Sequence, residues 1–136
     1  MEDEDMRSNR TLWIIQGLLA VVFLFAGGSK FVMSVEQMNA GGSVQLPGWF
    51  LHFIGVCEIL GAIGLIVPGL TGIQPRLTPI GATGLVIIMI GAVTVTLMGG
   101  MGVAAAIVPA VVGVLAAWVA YNRWPRATAR AATSRA

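Results

Sequence analysis

The sequence predicts an all-α protein, an integral membrane four-helix bundle, from its composition, its apolar runs and the breaks between them. Hydrophobic residues make up 57% of the 136-residue chain and charged residues only 10%, and the mean hydropathy is +0.86. Soluble domains carry about 25% charged residues. The chain therefore has too few polar side chains to coat a water-soluble globule, and a lipid bilayer is its expected solvent.

Four apolar runs, at about 12–33, 49–67, 80–98 and 103–121, are the predicted membrane spans. Each approaches the roughly 20 residues with which a helix spans a bilayer. All three connections contain glycine and the first two also contain proline, which predicts turns. Only helices or closed barrels satisfy the backbone inside a bilayer, and these runs are too continuously apolar for barrel strands.

The predicted domain organisation is a cytoplasmic N-terminal segment over 1–11, a four-helix membrane domain over 12–121 and a basic cytoplasmic tail over 122–136. From Trp124 onward the tail is expected to be unpacked and mobile, because "ATARAATSRA" has no large side chain to bury. Cleavage of the first run as a signal peptide near "AGG" is an alternative that would leave three helices. The acidic start "MEDEDMRSNR" is unlike the basic start of a signal peptide.

The basic residues predict the orientation of a multi-pass cell membrane protein with both termini in the cytoplasm. Lysine and arginine near span ends favour the cytoplasmic side, and only Lys30 falls on the opposite side if four helices alternate. The residues on the cytoplasmic side are Arg7, Arg10, Arg76, Arg123, Arg126, Arg130 and Arg135.

Few residues offer chemistry of their own. One cysteine, Cys57, and one histidine, His52, exclude an internal disulfide and a histidine or cysteine metal cluster. No redox, metal or nucleophile constellation is present, so enzymatic activity is not expected. Nucleic acid is not an expected partner, because the net charge of +2 derives largely from the tail. Such a tail beside a membrane attracts anionic lipid, with docking of a partner protein as the alternative.

Lys30 and Glu58 are the candidate site, as a buried charge pair or a ligand site. A charge at membrane depth normally faces the bundle interior and has a partner. On a helix, Glu58 shares its face with Gly55, Gly61, Ala62 and Leu65, and such small residues favour helix packing. Counting 1.5 Å per residue from the span ends leaves a difference of about 9 Å in depth between the two residues. Because side chains lean toward the helix N-terminus, both lean toward the space between them.

The sequence leaves alternatives open at both positions. Lys30 can instead extend its stem along apolar surface so that the ammonium reaches the outer interface. Glu58 can instead be a neutral, protonated carboxyl bonded to a backbone carbonyl, or a proton or ligand site. We predict the direct pair, with Gln16, His52 and Cys57 as candidate neighbours.

The chain resembles the DoxX-like family, the four-helix branch of the DoxX group of small membrane proteins. The resemblance covers roughly Gly17 to Ala92 and rests on "GLLAVVFLFAGGSKF", "GVCEILGAIGLIVPGL" and "RLTPIGATGLVIIMIGA". It implies a compact four-helix bundle with Lys30 and Glu58 at two recurring charged positions. Some relatives are linked to a thiosulfate:quinone oxidoreductase, and to an assembly with superoxide dismutase and a sulfurtransferase.

Three functions follow as expectations. The first is an accessory or anchoring subunit of a membrane redox or stress-response system, with protein partners from a redox complex and no cofactor of its own. The second is a binder of a quinone or other small hydrophobic molecule between helices near Glu58. The third is a proton-coupled transporter using Glu58, which four short helices without inverted repeats disfavour unless the chain forms a homo-oligomer.

Overall fold

The computed structural model describes the backbone of residues 2–135, with the side chains of 2–5, 127, 130, 131 and 133–135 outside the description. Its elements are α1 (Glu2–Val32), α2 (Val35–Asn39), α3 (Gly48–Thr71), α4 (Leu77–Met98) and α5 (Val103–Arg135). No strand occurs among residues 2–135, so the all-α prediction is confirmed.

Four of these helices are long and apolar enough to cross a membrane, which confirms the predicted four-helix membrane bundle. The candidate spans are Met6–Val32 in α1, Gly48–Thr71, Leu77–Met98, and Val103–Arg126 in α5. The pairs α1–α3, α3–α4 and α4–α5 pack extensively, whereas α1 and α5 pack together less closely than these three pairs. The order of packing therefore follows the order of the chain, and the bundle closes between its first and last helices.

A narrow apolar core runs along the bundle axis. Phe23 from α1, Leu65 from α3 and Leu85 from α4 are at most 1% exposed, and Val119 from α5 is fully buried among them. Burying a side chain of this size contributes about 1.5–3 kcal/mol in water. In a bilayer that contribution largely disappears, and close packing and polar contacts between helices hold the bundle instead.

The helices extend beyond the predicted spans at both ends of the chain. α1 already begins at Glu2, and α5 continues from Tyr121 to Arg135. Neither extension contains glycine, and the C-terminal one is rich in alanine, the best helix former. The expectation of an unpacked segment after Trp124 is wrong at Arg126, which bonds to α1.

The connections place the arginines of the described side chains at one end of the bundle. The turn between α3 and α4 covers only residues 72–76, and α3 continues through Pro68 to Thr71. Gly72 caps the end of that helix with a left-handed φ of 70°, and its N–H donates to Pro68 O at 2.9 Å. Arg76 follows in this turn, at the same end as the start of α1 and the extension of α5.

The opposite end is covered by the connection between α1 and α3. Ser34 and Gln37 form a capping box that starts α2. Asn39 then exchanges two hydrogen bonds with the backbone of Leu46, at 2.9 and 3.0 Å. The Ser43 N–H donates to Gly99 O at 3.0 Å, so this connection is fastened to the turn between α4 and α5.

Candidate functional site

Lys30 and Glu58 form a direct ion pair between α1 and α3. The Lys30 Nζ lies 2.7 Å from Glu58 Oε2 and also donates to Ala26 O at 3.3 Å. The side chains are 21% and 4% exposed, respectively. The charge of Glu58 is thus paired within the bundle, and the Lys30 ammonium points to the carboxylate and not to the outer interface.

Two glycines bring the helices close enough for this contact. A Cβ on Gly27 would lie 2.7 Å from Gly55 O, and a Cβ on Gly55 would lie 3.1 Å from Gly27 O and 3.2 Å from Lys30 Cβ. A side chain at Gly27 would force α1 and α3 apart, and one at Gly55 would make contacts tighter than ordinary van der Waals contact. The glycines therefore set the spacing of α1 and α3 where the pair forms, as small residues do in membrane helix packing.

The same crossing explains why the two head groups meet despite the expected difference in depth. Lys30 lies beside Gly55, which is seven residues into α3, or about 10 Å from its start. By contrast, Lys30 is two residues, or about 3 Å, from the end of α1. α3 therefore projects further toward this end than α1 does, whereas the sequence estimate assumed that the two spans end level.

The surroundings of Glu58 are those of a packed helix interface. Gly55, Gly61, Ala62 and Leu65 are all buried with it, as the shared helix face predicts. A carboxylate placed among such groups is stable only with a partner. The chemical consequence is a neutral, bonded pair that joins two helices at membrane depth.

His52 and Cys57 lie near the pair in α3, but their side chains make contacts with other groups. The ring of His52 packs against Phe31 of α1, with centroids 5.3 Å apart and planes tilted by 39°. The free thiol of Cys57 lines a cleft of about 520 Å³ between α3 and α4. Neither side chain hydrogen-bonds to Lys30 or Glu58 in the described part of the chain.

Gln16 belongs to a different polar cluster, near the other end of α1. It lies 14 residues, or about 21 Å along the helix, from Lys30. Its side chain is 1% exposed, donates to Leu65 O and accepts from Arg123 Nε at 2.6 Å. Gln16 is therefore a junction of α1, α3 and α5 and does not neighbour the charge pair.

Two arginines of α5 complete this cluster, and sequence reasoning missed their role. Arg123 Nη1 donates to Asn9 Oδ1 at 2.8 Å, and its guanidinium lies 5.4 Å from the ring centroid of Trp13. Arg126 donates to Asn9 Oδ1 at 3.4 Å and to Ser8 Oγ at 3.2 Å. The sequence feature that could have predicted this cluster is Gln16, an uncharged polar residue at the same depth as the arginines that follow the last predicted span.

Neither Lys30 nor Glu58 lines any of three clefts that lie between the described helices. The cleft between α3 and α4 is apolar. Another of about 330 Å³ lies between α4 and α5 beside Pro109 and Gly113. The third, of about 370 Å³, lies at the arginine-bearing end and has polar side chains in its lining.

The four-helix fold agrees with a comparison against known protein families. No curated protein and no solved structure matches the chain. The model of the DoxX-like family matches residues 14–119, a range that contains both Lys30 and Glu58 and most of the four spans. The chain thus belongs to the DoxX-like family.

Proposed function

We propose that the chain is an accessory or anchoring subunit of a membrane redox or stress-response system. The observation that carries the proposal is the direct contact between Lys30 and Glu58, because Glu58 is the only acidic residue within the spans. Its carboxylate is 4% exposed and joins two helices. With that group used for assembly, the reactive chemistry belongs to a partner subunit.

The outward faces of the helices support an anchoring role. In the most apolar stretch of each span, 33% of the residues are buried for α1 and α3, and 17% for α4 and α5. Most of each helix therefore faces lipid or another membrane protein. The surface of α4 and α5 is the larger outward face, and this makes it the preferred side for a membrane partner.

The arrangement is less favourable for the transporter alternative. Coupling sites of transporters lie in cavities near the membrane midplane, typically beside broken helices. Glu58 instead lies in an unbroken helical segment against the backbone of Gly27. Transport would require the pair to separate and the two glycines to move apart.

Binding of a quinone or another small hydrophobic molecule is the rival function, and one observation favours it. The cleft between α3 and α4 falls within the roughly 300–1,000 Å³ of small-molecule sites. Its walls are apolar, and Gly61, Gly64, Gly81, Gly84 and Cys57 are among the lining residues. Such a cleft suits an isoprenoid chain or a lipid tail.

One purification distinguishes these functions. The full chain, tagged and extracted from its native membranes in a mild detergent, is analysed by native electrophoresis, protein mass spectrometry and organic extraction. We expect a near-stoichiometric protein partner that carries a redox cofactor visible by its absorbance. An unrelated four-helix membrane protein with the same tag is the control.

Two results would contradict the accessory role. The chain migrating alone, as a monomer or homo-oligomer, with one quinone per chain in the extract would favour the binder. The chain migrating alone without a bound molecule, under detergents that preserve other membrane complexes, would leave the accessory role without support.

We also propose that both termini lie in the cytoplasm. The arginines at one end of the bundle support this orientation, because basic residues at span ends are retained on the cytoplasmic side. Reporter fusions after residue 136 and within residues 34–48 should report cytoplasmic and external positions, respectively. The orientation is refuted if both reporters are active on the same side or in reversed positions.

A further inference from the structure

The cleft at the arginine-bearing end has the features of a binding site that neither the charge pair nor the proposed function uses. It has a volume of about 370 Å³ and lies between α1, the turn before α4, and α5. The rings of Trp13 and Trp124 belong to the same end, where aromatic side chains mark the headgroup level of a bilayer. A molecule bound there would lie at the membrane surface.

Two arginines on successive turns of α5 give this cleft a positive charge. Arg123 and Arg126 both line it, and hydrogen bonds to Asn9, a neutral amide, hold both guanidinium groups toward α1. Arginine presents a planar fork of N–H donors that fits the oxygens of a phosphate. The fixed orientation lowers the entropy that these side chains lose when an anion binds.

The start of α4 supplies a second, independent feature. Thr78 lies in the first turn of this helix, lines the cleft and is only 4% exposed. Its hydroxyl has no hydrogen-bond partner among the described residues. Arg76, at the N-cap, gives the helix no side-chain cap. The N–H groups of Leu77 and Ile80 already donate to Gln74 O and Arg76 O, so this helix start favours an anion through its positive dipole end and the Thr78 hydroxyl.

We propose that this cleft binds a phosphate group, with Arg126, Arg123 and the Thr78 hydroxyl as its donors. The phosphate can belong to the headgroup of an anionic phospholipid or to a soluble phosphate. Basic pockets between membrane helices on the cytoplasmic side bind phospholipid headgroups. The site lies at the other end of α1 from Lys30 and is independent of the function of the charge pair.

Two measurements on the delipidated full chain separate the two sources. In the first, native mass spectrometry counts phospholipids retained from nanodiscs of phosphatidylcholine with or without cardiolipin. In the second, inorganic phosphate is titrated in detergent at constant ionic strength and binding is followed by calorimetry. Both measurements use the full chain, which includes the acidic residues from Glu2 to Asp5. Any competition of their carboxylates with phosphate for the arginines is therefore included in the measured affinity.

We expect one cardiolipin to be retained in preference to phosphatidylcholine, and Arg126→Gln and Thr78→Val each to weaken its binding about tenfold, as loss of a hydrogen bond to a charged group does. Arg76→Gln and Thr71→Val are the matched controls, since both side chains are exposed and neither lines the cleft. Thr78→Val keeps the shape of the side chain and leaves the bonds between α1 and α5 intact, so its effect is separable from misfolding.

The outcomes are distinct. Saturable binding of inorganic phosphate that depends on the same two residues shows that the phosphate group alone suffices, whereas cardiolipin binding without it assigns the site to a lipid headgroup. Equal losses in Arg126→Gln and Arg76→Gln, with no loss in Thr78→Val, overturn the site in favour of a diffuse basic surface. The absence of saturable binding of both probes overturns it as well.

Discussion

Replacing Lys30 by methionine should lower the free energy of unfolding by about 3–5 kcal/mol, the cost of leaving one member of a well-buried pair without its partner. The Glu58 carboxylate is 4% exposed and cannot reach water when Lys30 is lost. Replacing Glu58 by glutamine should cost less, about 1–3 kcal/mol. The loss is smaller because Lys30 is 21% exposed, so that without Glu58 its flexible stem can carry the ammonium to the interface.

The double variant completes a double-mutant cycle and decides whether Lys30 and Glu58 are energetically coupled. Because neither charge remains, Lys30→Met with Glu58→Gln should cost less than the sum of the single losses, by at least about 1 kcal/mol for residues in direct contact. Unfolding of the purified protein in detergent, by heat or by a denaturing detergent, measures all four members. Glu36→Gln and Arg10→Met, both exposed, control for the loss of a charge.

Additive losses would show that the pair contributes no coupling. A larger loss in Glu58→Gln than in Lys30→Met would contradict the burial argument, because it would make the lysine the less replaceable member.

The charge pair shows how far local sequence features reach. Glu58 shares its helix face with small residues, and the short connection between the first two spans makes α1 and α3 neighbours, so the partner of Lys30 could be predicted. The depth of the contact could not be predicted, because it depends on the crossing at Gly27 and Gly55. Many glycines occur in the spans, and sequence does not mark which two of them meet.

The arginine cluster shows where such reasoning stops. Arg123 and Gln16 are 107 residues apart, and their helices are first and last in the bundle. No short connection indicates that they touch. The boundary of α5 was missed for a related reason. The apolar run ends near Tyr121, but a helix needs no apolar side chains to continue when its turns are tied to a neighbouring helix.

Ending the chain after Tyr121 should destabilise the bundle by about 2–4 kcal/mol, whereas ending it after Ala127 should leave its stability nearly unchanged. The shorter chain loses Arg123 and Arg126, which hold α1 against α5, a helix pair with far less packing than the three pairs adjacent in the chain.

The expected loss has two sources. Gln16 is 1% exposed, and its side-chain oxygen loses its Arg123 donor at a cost of about 1–3 kcal/mol for a buried polar group left unpaired. The contact of the guanidinium with Trp13 adds about 0.5–1 kcal/mol. Arg123→Met in the full chain should reproduce most of the loss, and Arg76→Met, which removes an exposed charge at the same end, should not.

The comparison of the two truncated chains separates the arginines from the rest of the extension. Thermal unfolding in one detergent, with retained helicity followed by circular dichroism, is sufficient for all four variants. If both truncated chains unfold with the full-length protein, the contacts of Arg123 and Arg126 with α1 add no stability. If both are equally destabilised, residues after Ala127 carry the effect. Only a loss confined to the shorter chain and to Arg123→Met agrees with a bundle whose first and last helices are held together by Gln16, Asn9 and these two arginines.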